Sequence, residues 1–473
     1  MAITEQLAHV IAETTYAQLP ANAVSQAKRA LLDTIGVTLA GHGEESGRII
    51  TAWVEDAGGR QEAAVLGTPL YTSPGLAALA NGTLGHALDF DDVTEHLRGH
   101  PSVPVAPVVL ALGEAMGASG TEVITAFVVG VEVEAKIGKA MTSAHPRRGW
   151  HPTATIGTLG ATAAAANLLG LAPAQVRMAL GIAASKAAGL RQNFGTMTKP
   201  LHAGEAARSG VEAAQLAQRG FTADPQTLEG RFGFFNTFVG SGEFVLETVL
   251  HDFGVPYEIV SPGIGVKPYP ACRQTHRAID AMLDLVHTHQ LLPDEVSEIV
   301  CETSARMLDF LVYHRPRTGL EGKFSMEYCM AAALLHGQMG LAQFTDRSVQ
   351  DAHAQDLLQK VRLVHPDQEH PDWDTMRPDV VEVVLRNGRR LQQRVDIPKG
   401  DPALPLTWEE LVAKFRDCAV VVLSTEQVQE AVQHMGASRR ITNTPATHGE
   451  SHAGVSCGIE PRPCRTCGGL LQL

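Results

Sequence analysis

TATIGTLGATAAAANLLG, residues 153–170, carries no charge and is built almost entirely from Ala, Gly, Thr and Leu. Ala is the strongest helix former, and small side chains let helix axes approach closely. The stretch reads as a buried helix stopped by Gly170. It lies inside the longest uncharged run, Pro152 to Val176. Asn167 and Pro173 interrupt that run and its hydrophobicity is low, so a membrane span is excluded. A chain organised around such a segment is a packed-helix protein.

The same pattern extends outward. Leu7 to Gly41 reads as two helices separated by Pro20, the second with apolar residues at helical spacing and Gly41 as its stop. GTEVITAFVVGVEVEAKIGKAM (120–141) is a helix with Thr121 as the expected cap, and GEAARSGVEAAQLAQRG (204–220) is one ended by Gly220. No strand is expected before about Gly254. After Lys267 the character changes. VSEIVCET (296–303) is rich in β-formers and KVRLVHPD (360–367) alternates. DVVEVVLRNGRRLQQRVDIP (379–398) is a hairpin with Asn387-Gly388 expected in a type I′ turn. Helices are expected near His276–His289 and from Ser325 to about Met339. PLTWEELVAKFRD then returns to helix, with Thr407 and Glu410 as a capping box.

The fold class expected is therefore mainly α, a large all-helical domain with a smaller α+β domain inserted in it. The boundaries are 1–266 for the first helical part, 267–400 for the α+β insert and 401–435 for the return to helix. Residues 436–473 lack a hydrophobic period and read as a tail without ordered structure. Cys457, Cys464, Cys467 and His452 in that tail match no common zinc spacing. The GxSxG match around Ser456 has no strand before it and no helix after it, so it is not a nucleophile elbow.

Bulk composition narrows the function. Over 473 residues the net charge is −13, with no long Lys/Arg run. That excludes a nucleic-acid binder, and an anionic substrate is held only if the few cations are gathered locally. No export signal or membrane segment is read, and Cys272, Cys301, Cys329 and Cys418 are expected reduced, so the location expected is cytoplasmic. No GxGxxG after a strand, Walker A loop, HExxH or iron–sulfur spacing is found, so no cofactor and no metal are expected. Acid–base chemistry remains.

Four segments place polar groups in apolar settings. HALDFDDVTEHLRGHPS (86–102) offers Asp89 and His100 on a loop before a buried helix. Its other polar residues, Asp91, Asp92, Glu95 and His96, are expected to be solvated. In GWHP (149–152), His151 precedes the Ala-rich helix; the positive helix end favours neutral imidazole there. Lys199 and Lys267 stand in TKPLH and KPYP, and Arg273 and His276 lie about one helical turn apart. Gathered in space, Lys199, Lys267 and Arg273 with His100 and His151 would make a cationic pocket.

HALDFDDVTEHLRGHPS, GWHPTATIGTLGATAAAANLLGL, TKPLHAGEAARSGVEAAQLA, KPYPACRQTH and EGKFSMEYCMAAAL occur in that order. Together they resemble the MmgE/PrpD family, over roughly residues 5 to 430. Its activities include 2-methylcitrate dehydration, cis-aconitate decarboxylation and iminodisuccinate epimerisation. The resemblance implies a helical domain, an α+β lid, a homodimer and no required metal. It implies catalytic roles for Asp89, His100, His151, Lys199, Lys267 and Tyr328, and a substrate-binding set of Thr94, Cys272, Arg273 and His276. The chain departs from the decarboxylases at Val93, where they carry Thr, and at Cys272, where they carry His. The function expected is thus a dehydratase-like lyase on a small di- or tricarboxylate such as 2-methylcitrate. The alternatives are an epimerase, a decarboxylase, or a carboxylate-binding protein without turnover. All three chemistries make or quench a carbanion beside a carboxylate. Lys199 and Lys267 would meet that charge. His151 or His100 would move the proton, with the other histidine or Tyr328 as partner, and Asp89 would orient a histidine.

Overall fold

The computed structural model describes residues 2–366 and 377–438. The tail expected from Gly436 onward, with its cysteines, His452 and Ser456, lies outside the described residues apart from the last helical turn.

The chain is mainly helical. The main helices of its first part are Ile3–Glu13, Ala21–Ala40, Glu45–Ala57, Pro74–His86, Ser102–Met116, Gly120–Met141, Gly157–Leu168, Pro173–Lys186 and Thr198–Gln218. All but Glu45–Ala57 share one hydrophobic cluster running from Leu7 to Ile259; Ile50 and Val54 of that helix pack in a smaller one with Leu79 and Leu84. Pro74–His86 and Thr198–Gln218 form the tightest crossing of this part. A Cβ on Gly82 would sit 2.8 Å from the Gly204 Cα, and one on Gly204 would sit 2.3 Å from the Leu79 carbonyl oxygen. Close approach without side chains between the axes explains the Gly and Ala content, because interiors tolerate neither gaps nor overlap. The cap of Gly120–Met141 is Ser119, not Thr121. Its hydroxyl accepts from Glu122 N–H while its own N–H donates to the Glu122 carboxylate at 2.7 Å. A short antiparallel pair, Ala63–Ala64 with Tyr71–Thr72, interrupts the helical part where no strand was expected.

The strands of the second part form one sheet in the order Val361–Val364, Val296–Glu302, Asp379–Leu385, Arg390–Val395. The first pair is parallel and the others are antiparallel. Asp379–Leu385 alternates buried and half-buried positions, as a strand with one face on a core should. Helices His276–His289 and Met326–His336 cover that face, and together with the strands they make a separate hydrophobic cluster. The hairpin turn is not type I′. Gly388 N–H donates to Leu385 O at 2.9 Å and only Gly388 has a positive φ, +81°. That is a type I turn over Arg386-Asn387 with Gly388 as a bulge. Trp408–Ala419 then packs back on Ala21–Ala40, with Phe415 against Gly36, under the expected Thr407–Glu410 capping box. Among the described residues, no helix is long and apolar enough to cross a membrane.

Candidate active site

Helix Pro74–His86 is buried along its length and delivers the chain to the loop 87–101. Three lysines from distant parts of the sequence hold that loop. Lys323 donates to Leu88 O at 2.9 Å, Lys267 to Asp89 O at 2.8 Å and Lys414 to Phe90 O at 2.8 Å. Consecutive carbonyls are thereby fixed, and Asp89 adopts a left-handed φ of +50°, a conformation L residues keep only when their surroundings enforce it. Further along, Val93 and Gly265 exchange main-chain hydrogen bonds at 2.9 and 2.8 Å. His100 N–H donates to the Thr153 hydroxyl at 3.0 Å, which ties the loop to the helix of residues 152–155.

The loop, the Lys199 and Lys267 segments and part of the second core enclose a cavity of about 270 Å³. Asp89 sits at its wall between two ammonium groups: Lys267 at 2.6 Å from Oδ1 and Lys199 at 3.2 Å from Oδ2. Burial alone would push the Asp89 carboxyl up, but Lys199 and Lys267 hold it well below the usual carboxylate range. His100 Nε2 lies 3.5 Å from Asp89 Oδ1. His151 Nδ1 hydrogen-bonds His202 Nδ1 at 3.1 Å, and its ring stands edge-on to Phe194. Burial and the neighbouring Lys199 depress His151 well below an ordinary histidine. Lys199 also lies over the Phe194 and Phe324 rings at 5.2 and 5.3 Å, so its charge is framed by apolar walls.

Of the expected residues, Asp89, Thr94, His100, His151, Lys199, Cys272 and Arg273 line this cavity, and Lys267 stands behind Asp89. Thr94 spends its hydroxyl on Gly263 O at 3.0 Å, and Arg273 is held by Asp401 at 3.0 Å. Burial pushes the Cys272 thiol up to about 11, so it stays neutral. Two expected residues are elsewhere. Tyr328 is 0% exposed and not at the cavity; its hydroxyl donates to Gln343 O and its ring meets Phe344. It lies in the first turn of Met326–His336 and faces the second core. His276, also 0% exposed, begins His276–His289; its Nε2 approaches Ala271 O at 3.2 Å and its ring packs on Tyr269.

The acids expected to be solvated are not all so. Asp91 and Asp92 are 0% exposed. Asp91 Oδ2 accepts from His86 Nδ1 at 2.8 Å and lies 3.0 Å from His100 Nδ1. Asp91, not Asp89, is therefore the carboxylate beside the His100 Nδ1. Asp92 starts helix Ser102–Met116, accepting from the Ser102 N–H and hydroxyl at 3.1 and 2.5 Å. His96 pairs with Glu258 at 2.5 Å; Glu95 alone is exposed, at the cavity mouth. Sequence reading also missed Arg191, whose guanidinium donates to Pro146 O and Asp309 O at 2.7 Å each and lines the cavity. His86, Asp91 and His100 form the one trio of metal-ligating types gathered among the described residues. Asp91 Oδ2 is already the shared partner of both imidazoles, and Lys199 and Lys267 crowd the neighbouring Asp89. That geometry fits paired imidazoles on a carboxylate better than a cation site.

Behind the loop, Glu134 is fully buried and neither carboxyl oxygen has a hydrogen-bond partner among the described residues. Burial, then the nearby Asp92, raises its pKa well above the usual value. It therefore folds protonated. A raised folded-state pKa contributes stability present below the unfolded carboxyl pKa and lost as pH rises through the folded one. Glu134→Gln keeps the shape and removes that titration. The variant should match the parent near pH 4 and gain on it as pH rises, by at most about 1.4 kcal/mol per pH unit. Thermal unfolding from pH 4 to 8 checks this; parallel curves would show that Glu134 is ionised in the fold.

Fold and cavity together define a helical protein with a second, sheet-bearing core and a cation-lined, histidine-walled site. Residues 5–247 match the MmgE/PrpD N-terminal domain and residues 269–436 match the MmgE/PrpD C-terminal domain. The chain belongs to the MmgE/PrpD family. It is similar to the cis-aconitate decarboxylase of Mus musculus, 32% identical over 446 residues, covering 91% of this chain and 89% of that protein. The cis-aconitate decarboxylase of Homo sapiens is also 32% identical, over 91% of this chain and 90% of its own length. That of Aspergillus terreus (strain NIH 2624 / FGSC A1156) is 27% identical, over 93% and 94%.

Proposed function

We propose that this chain is a lyase, independent of any bound cofactor, that removes CO2 from a small unsaturated tricarboxylate of the cis-aconitate kind. The observation that carries this is Lys199, a buried ammonium at the cavity wall between Asp89 and two aromatic rings, facing the same space as His100 and His151. Such a cation has no structural need to line a cavity, whereas a multiply charged anion needs it. Arg191 adds a second positive charge whose partners are neutral carbonyls. The names of the similar proteins move the preference from dehydration to decarboxylation.

In this reading one carboxyl carbon leaves as CO2. Its bonding pair passes through the adjacent double bond onto a carbon beside a second carboxylate. Lys199 and Arg191 meet the enediolate charge that develops there. The substrate's own negative charge raises the depressed histidines, so His100 or His151 carries the proton that quenches the carbanion. Residues 267–400 supply Cys272, Arg273, Phe310 and Phe324 to the cavity wall, and we propose that they act as a lid over it.

The test is proton NMR in deuterated water with cis-aconitate, citrate, 2-methylcitrate, malate, tartrate and iminodisuccinate, using Lys199→Ala as control. The expected result is loss of cis-aconitate, release of CO2 and one deuterium on the product, all absent in the variant. Loss of water without CO2 from a hydroxy acid would make it a dehydratase instead. The ground for that second reading is Cys272 at the cavity wall, where the resemblance implies a histidine in the decarboxylases and where the thiol here stays neutral. Exchange without net conversion would indicate an epimerase, and no change anywhere would remove the enzymatic reading for these acids.

A further inference from the structure

We infer that Asp91, braced by His86, is the positioning carboxylate that fixes the tautomer and orientation of His100 at the cavity. The inference rests on the catalytic reading above for its effect on turnover, but not for its effect on the imidazole.

The geometry is specific. His86, Asp91 and His100 come from the end of helix Pro74–His86 and from the loop that the three lysines hold. All three are buried. The His86 Nδ1 contact with Asp91 Oδ2, at 2.8 Å, is a hydrogen bond. His100 Nδ1 reaches the same oxygen at 3.0 Å, close but not aligned as a straight N–H to O bond. An ionised carboxylate can only accept, so His86 presents Nδ1–H to it, and at 3.0 Å the same tautomer is the one that avoids a lone pair of His100 Nδ1 against the carboxylate. That leaves Nε2 as the second nitrogen of each ring. His86 Nε2 is buried without a partner among the described residues, and burial depresses this ring to about 3, so His86 stays neutral and serves as a brace. His100 Nε2 faces Asp89 Oδ1 at 3.5 Å, beside Lys199 and Lys267 on the same carboxylate. A proton taken up on Nε2 is therefore flanked by Asp89 on one side and supported through the ring by Asp91 on the other.

A merely structural Asp91 would have no reason to sit on a cavity histidine. Burial disfavours the Asp91 carboxylate, and the ring N–H groups of His100 and His86 turned toward it keep it below its usual range. The rings also touch one another: His86 meets His100 edge-on at 4.5 Å and stacks on His151 at 5.6 Å, centroid to centroid. One carboxylate thus contacts two imidazoles, of which His100 lines the cavity, and His86 in turn packs on His151.

The test uses the full chain with its histidine rings labelled with nitrogen-15. The parent protein is expected to show Nδ1–H tautomers at both His86 and His100. Asp91→Asn is expected to lose the fixed His100 tautomer, because an amide can turn either its oxygen or its NH2 to the ring. On the substrate found above, kcat should fall about 10- to 100-fold with KM changed less than about threefold, as for a lost transition-state contact. His86→Gln, which can still donate to Asp91, should keep the His100 tautomer and most of the activity. An unchanged His100 signal in a folded Asp91→Asn protein would overturn the inference. So would an Nε2–H tautomer at His100 in the parent, or stoichiometric Zn2+ binding that erases both Nδ1–H signals. A protein inactive on every acid tested would sink the proposed function alone, since the tautomer is read without substrate.

Discussion

Lys267→Met should be among the most damaging single substitutions in this chain, lowering stability by about 3–5 kcal/mol and turnover by about 100- to 1,000-fold. Lys267 is 0% exposed and bonds both the carbonyl and the carboxylate of Asp89. Without it, the Asp89 carboxylate stays buried with Lys199 at 3.2 Å as its one ammonium partner. The penalty is that of a buried carboxylate left with one ammonium of two, together with the lost hydrogen bonds to the Asp89 carbonyl and Oδ1. Adding Asp89→Leu removes the half-compensated anion, at the cost of the Lys199 ion pair, and should recover part of the stability, while activity stays lost. Denaturant melts of the single and double variants, with product assays alongside, read the two effects apart. A single variant no less stable than the double would show that the pair is not the anchor described here.

His151→Ala should cut kcat by about 100- to 10,000-fold, the usual worth of a positioned proton carrier. The ring lines the cavity and gives Nδ1 to His202, which leaves Nε2 to meet a ligand. Truncation also opens a space bounded by Phe194 and His86. Free imidazole added to the variant should enter that space and restore part of the rate. Retention of full activity, or a loss that appears entirely in KM, would remove His151 from the chemistry and leave it a binding residue.

The sequence displayed much of this. Caps and stops placed most helices within a residue or two, and the elements after Lys267 emerged in the right order. Seven of the expected site residues line one cavity: His100, His151, Lys199, Cys272 and Arg273 stand beside a Pro, a Gly or a helix start, and Asp89 and Thr94 lie in the loop between two helices. What failed has a common cause. In DFDD, alternate acids differ only in which way a loop turns, and the loop is shaped by Lys267, Lys323 and Lys414 from far along the chain. Nothing local could separate the buried Asp91 and Asp92 from the exposed Glu95. Tyr328 and His276 sit in first turns of helices, where one residue of phase decides between cavity and core. His86 has no role legible at the head of its stretch, and only its spatial neighbours give it a task.

The clamp of lysines on the carbonyls of residues 88, 89 and 90 has a bearing on recombination between relatives. Two of the three donors, Lys267 and Lys323, belong to the sheet-bearing segment, and the third, Lys414, follows it. A chimera that takes residues 267–400 from another protein inherits or forfeits the shape of a loop encoded some 180 residues earlier. Grafts that keep both lysines should yield a formed cavity with new walls. Those that lose either should fold both cores and still lack a working pocket, a failure invisible to any comparison of the two halves taken separately.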